Sequence, residues 1–201
     1  MTNIWYLRTA TVFSVLIAIT SYRFLFLPLE LGFPDFGEHI LKRQTWFVLH
    51  IAASPIALAF GGFQFMPRLR LKRPALHRWM GRTYAVAILA GGISGIVIGV
   101  TAIGGPIAQV GFTALAILWL GTTAMAVKFA MQRKLSQHRK WMIYSFALTF
   151  AAVTLRIQLP FFFTGGFDYQ AASVWVAWTC WVPNLIFAAW YLGRNPGLPN
   201  A

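Results

Sequence analysis

Pro67-Arg68-Leu69-Arg70-Leu71-Lys72-Arg73-Pro74-Ala75-Leu76-His77-Arg78-Trp79-Met80-Gly81-Arg82 decides the fold, because it packs six cations and no acid between two long apolar runs. A second gap of the same sign runs from Gln132 to Lys140, with Arg133, Lys134, Arg139 and Lys140, and Lys128 just before it. All four acids, Glu30, Asp35, Glu38 and Asp168, fall in the other set of gaps. Short Lys/Arg-rich segments that alternate with acidic ones are the positive-inside signature of a polytopic membrane protein, and they predict that the basic gaps are cytoplasmic.

Composition agrees, since 58% of the 201 residues are hydrophobic and only 10% are charged. A membrane-crossing helix takes about 20 apolar residues at roughly 1.5 Å of rise each. Six such runs are predicted, at 9–26, 45–65, 83–101, 110–131, 141–160 and 173–192. The expected fold is an all-α integral membrane helical bundle of six transmembrane helices, one domain over residues 1–201, with both termini cytoplasmic. The first run is read as a retained helix, since it is long and no small-residue cleavage pattern follows it. A net charge of +13 would suggest nucleic acid in a water-soluble chain, but here it is placed for anionic lipid headgroups, so membrane lipids are expected partners and nucleic acid is not. The lone cysteine, Cys180, excludes an intramolecular disulfide and a thiolate cluster.

Two segments echo one another. Leu76-His77-Arg78-Trp79-Met80-Gly81-Arg82-Thr83-Tyr84-Ala85 opens the third run, and Gln137-His138-Arg139-Lys140-Trp141-Met142-Ile143-Tyr144-Ser145-Phe146-Ala147 opens the fifth. The match suggests a parallel pseudo-repeat of two hairpins, spans two to three and four to five. Ordinary interfacial anchoring by Arg, His and Trp is the plainer explanation.

These segments, with His50-Ile51, Gln64-Phe65, the stretch Phe146 to Arg156 and Cys180-Trp181-Val182-Pro183-Asn184, resemble the bacterial membrane family named domain of unknown function 2306. The likeness covers roughly residues 45 to 190 and implies a helical protein of the bacterial cytoplasmic (inner) membrane. It implies no reaction.

Steps of four and three place His138, Met142, Ser145, Thr149, Ala152 and Arg156 on one face of the fifth span, and His50, Ser54, Ala57, Gly61 and Gln64 on one face of the second. Small residues on such faces, and Gly91, Gly95 and Gly99 in the third span, allow close helix approach. Arg156 is an intramembrane charge, and such a charge points to a site unless it snorkels to the outer headgroups. Paired histidines on facing helices are the usual way to hold b-type haem. His77 and His138 are the expected axial ligands to iron, and Arg78, Arg82 or Arg139 would meet the propionates. The arrangement is similar to that of six-helix dihaem b-type cytochromes, but the histidines are too few for two pairs. Lipid phosphates are the competing ligands for both residues.

A second reading places a quinone or other amphipathic molecule among His50, Gln64, Arg156, Trp178, Trp181 and Asn184. A third makes the chain a non-catalytic assembly factor, an accessory subunit of a membrane complex, or a small-molecule transporter. The chain has no phosphate-binding Gly-rich loop, nucleophile elbow, His-Glu-x-x-His or intramembrane acidic pair, so hydrolase, nucleotidase and cation-pump chemistry lack their parts. The functional expectation is a membrane electron carrier binding b-type haem or quinone.

Overall fold

The computed structural model describes residues 4–27 and 41–195. Glu30, Asp35, Glu38 and His39 lie outside the described residues. Every regular element among the described residues is helical. Six stretches are long and apolar enough to cross a membrane: Leu7–Phe26, Gln44–Phe65, Pro74–Gly99, Gly105–Met131, Leu135–Thr164 and Tyr169–Arg194.

The chain divides into two compact units, Met1–Ile98 and Gly99–Ala201. In the first, α1 (Ile4–Ser21) and the short α2 (Arg23–Phe26) precede α3 (Gln44–Gly61), which ends in a 3-10 turn at Gly62–Phe65. Then come α4 (Pro67–Lys72) and α5 (Pro74–Gly99). The second unit holds α6 (Gly105–Met131), α7 (Leu135–Thr149), α8 (Ala151–Thr164), α9 (Tyr169–Thr179) and α10 (Val182–Arg194).

Small residues set the packing of each unit. In the first, a methyl group added at Gly62 would overlap the Thr11 side chain, so the Thr11 side chain of α1 seats directly on the backbone at the end of α3. The Tyr22 hydroxyl donates to Ala52 O at 3.2 Å and ties the other end of α1 to the middle of α3. In the second, a Cβ at Gly111 would stand 2.8 Å from Ala177 O and 2.9 Å from both Ala177 Cβ and Trp178 Nε1. Small residues that let backbones meet are the usual source of helix packing in lipid, where no hydrophobic force separates helix from tail. Gly111→Val is therefore expected to lower stability by about 1 to 3 kcal/mol through overpacking. Thermal unfolding in detergent, with the exposed Gly121→Ala as control, measures it.

Asp168 caps α9, its carboxylate accepting from the Ala171 N–H at 2.7 Å. Such a cap accounts for an acid at that helix start.

Two expected spans are not single helices. The fifth runs from Leu135 rather than Trp141 and breaks at Phe150, and the sixth breaks at Cys180 and Trp181. Both basic gaps, read as loops from charge alone, are largely helical. Pro67 and Pro74 each open a helix, where the missing N–H costs nothing because no partner exists there.

Candidate functional site

The stripe of the fifth span is real and its partner is the fourth span. Ser145, Thr149 and Met142 are buried. His138 Nδ1 lies 2.8 Å from Ala126 O, Ser145 Oγ 2.8 Å from Thr123 Oγ1, and Thr149 Oγ1 accepts from Trp119 Nε1 at 2.8 Å. Residues 119, 123 and 126 are spaced by four and three, so a matching face of α6 runs antiparallel to α7, rung against rung. Hydroxyl and indole groups are satisfied across the pair, as apolar surroundings require.

A carbonyl oxygen only accepts, so His138 Nδ1 carries the proton and donates to Ala126 O. In the neutral form the lone pair is then at Nε2. No described residue bonds that nitrogen. His138 is half-buried and is the fourth residue of α7, with its own N–H on Lys134 O at 2.9 Å. His77, also half-buried, is the fourth residue of α5, with its N–H on Arg73 O at 3.0 Å. The sequence echo thus corresponds to one position on the first turn of two helices, one in each unit. Arg78 and Arg82 are exposed and stand one turn apart on α5; Arg139 is half-buried on α7.

His50 has a different environment. Nδ1 lies 2.9 Å from Gly91 O and must donate to it, while Nε2 lies 3.3 Å from the Ser54 hydroxyl. Ser94 Oγ stands 3.5 Å from Nδ1. Both ring nitrogens are engaged inside the first unit, so His50 joins α3 to α5. Gln64 is 8% exposed. Its Oε1 lies over Gly81, 3.2 Å from where a Cβ would stand, and its buried Nε2 has no partner among the described residues.

The second unit also contains a polar network at its two helix breaks. Pro183 has no N–H, so the Thr179 carbonyl loses its helical donor. Gln158 Nε2 supplies one at 3.2 Å, and Thr179 Oγ1 donates to Gln158 Oε1 at 3.0 Å. Asn184 Nδ2 reaches Thr154 Oγ1 at 3.0 Å, Cys180 O at 3.0 Å and Ala147 O at 3.3 Å. Side chains that insert into a carbonyl ladder are a recognised cause of kinks, and here they interrupt α7–α8 and α9–α10 while keeping the backbone satisfied. Arg156 folds back, Nη1 donating to Ala152 O at 3.1 Å. Both indoles expected in a cavity are tied to backbone, Trp178 Nε1 to Ile107 O at 3.1 Å and Trp181 Nε1 to Ala177 O at 2.6 Å. Of the six residues expected around a quinone, Arg156, Trp178, Trp181 and Asn184 belong to the second unit, and His50 and Gln64 to the first.

Sequence reasoning singled out Asn184 but missed Gln158, Thr154 and Thr179. A proline preceded four residues earlier by a threonine carbonyl was the available signal.

Helical spans carrying these motifs define a polytopic membrane protein. The family model for predicted membrane proteins of domain of unknown function 2306 matches residues 47–192, and the chain belongs to that family. No curated protein and no solved structure matches it.

Proposed function

We propose that the protein is a membrane electron carrier that binds b-type haem, with His138 as an axial ligand. One observation carries the reading: His138 Nδ1 donates to the Ala126 carbonyl at 2.8 Å, which fixes the tautomer that aims a lone pair from Nε2. Histidines that ligate metals are commonly held this way, the second nitrogen bonded to a carbonyl or carboxylate that sets ring orientation and raises basicity. His77, the other residue of the echo, holds the same position on its own helix in the first unit. Bound haem would supply one-electron chemistry at iron. The chain's own part is to hold one imidazole rigid against a backbone carbonyl.

The test is an optical spectrum of detergent-purified protein, produced with haem supplied and recorded oxidised and dithionite-reduced. A Soret band that shifts on reduction, with sharp α and β bands, is expected. A colourless protein with normal helical circular dichroism overturns the reading and leaves a lipid-anchored or accessory role.

Gln64 favours a second reading, in which a quinone carbonyl accepts from Nε2. A buried amide donor without an acceptor costs about 1 to 3 kcal/mol, and a ligand oxygen would relieve it. Organic extraction should then recover quinone from the parent and much less from Gln64→Leu; equal recovery rejects it.

A further inference from the structure

We infer that the turn from α4 into α5 is an anionic-phospholipid site, with Arg68, Arg70, Lys72 and Arg73 gathering lipid phosphates. The described part of the first unit contains no acidic residue, so these cations have no carboxylate partner there. Arg68, Lys72 and Arg73 are exposed and Arg70 half-exposed. Four cations within six positions make a strongly positive patch, to which anions are drawn.

The surrounding apolar groups select lipid over a soluble acidic protein. Leu71, 74% exposed, stands between Arg70 and Lys72, and Leu76 and Trp79 are exposed further along. The Trp79 ring packs on Phe60 with centroids 5.9 Å apart, which sets an indole at the end of the second span, where aromatic belts lie. Leucines interleaved with long basic side chains suit the boundary between headgroup and acyl chain, apolar groups inward and charges outward. The backbone supports the placement. Met66 is extended (φ −77°, ψ 114°) and Arg73 lies off the helical region (φ −136°, ψ 64°), each ahead of a proline that disfavours helix at that residue. The short helix is thereby separated from both spans.

The test needs no haem and is independent of the reading above. The protein is placed in nanodiscs of phosphatidylcholine alone, or of phosphatidylcholine mixed with phosphatidylglycerol, and thermal unfolding is followed by tryptophan fluorescence. The anionic lipid is expected to raise the midpoint of the parent. The quadruple variant Arg68→Gln, Arg70→Gln, Lys72→Gln, Arg73→Gln should lose most of that gain, as apparent affinity for phosphatidylglycerol falls on the order of a hundredfold or more. Its midpoint in phosphatidylcholine serves as the folding control. A matched variant neutralising Arg133, Lys134, Arg139 and Lys140 should keep most of the gain. Equal losses in both variants would mean diffuse attraction without a site, and full retention by the first would leave the patch to an acidic soluble partner; either result overturns the inference. Leu71→Cys carrying an environment-sensitive dye gives a second readout, blue-shifted emission supporting it and water-like emission opposing it.

Discussion

His138→Ala is expected to empty the protein of haem while leaving it folded. The substitution removes the Nε2 proposed to bind iron and one hydrogen bond to Ala126 O, and a single such bond is worth about 1 kcal/mol net. The rungs Thr123–Ser145 and Trp119–Thr149 remain to hold α6 against α7. Loss of haem and loss of fold are therefore separable. His39→Ala should leave haem content unchanged. Haem per protein, measured by the pyridine haemochrome, checks both, and equal content in the two would sink the assignment. His138→Met adds a discriminating case. If the residue only braces α7, methionine behaves like alanine. As a ligand, its thioether retains iron at a higher potential, as methionine–histidine ligation does.

Much of the fold was legible in the sequence, and the reason is the bilayer. Apolar length is a strong constraint in lipid, so six runs read from composition became six spans, and the four-and-three spacing of Met142, Ser145 and Thr149 put all three on a buried face. The partner face on α6 was missed because Trp119, Thr123 and Ala126 look like filler in an apolar run. The helix breaks were missed for a related cause: hydropathy records what surrounds a helix and is blind to whether its carbonyls have donors. Phe150, Cys180 and Trp181 are as apolar as their neighbours, and only Pro183 marked an unpaired carbonyl. His50 illustrates the limit for sites. Its spacing put it on one face of the second span, but its partner, Gly91 O, is a backbone atom forty-one residues away, which no sequence pattern announces. The basic gaps were read as loops because charge was taken as the stop signal, whereas Arg and Lys are good helix formers and each gap opens a helix.

A large stability effect is expected from the Gln158–Thr179 pair, and it depends on Pro183. Gln158→Leu takes away the amide that serves the Thr179 carbonyl and leaves that oxygen unpaired where water is excluded, a loss of about 1 to 3 kcal/mol. Pro183→Ala alone should change stability little, because the Thr179 carbonyl has two lone pairs and can accept the new N–H beside the Gln158 amide. In the Gln158→Leu background the same N–H has a free acceptor. The two-residue break at Cys180 and Trp181 can then close into regular helix, and part of the lost stability should return. The double-mutant cycle, read by thermal unfolding in detergent, is expected to show a favourable coupling of about 1 kcal/mol, since both changes act on one oxygen. Additive effects would mean that Gln158 matters through packing and that the break has another cause. Coupling would mean that this chain spends a glutamine to keep its sixth span discontinuous. A break maintained by a dedicated side chain would then have to be explained by what the protein does, because a continuous helix would cross the same bilayer without it.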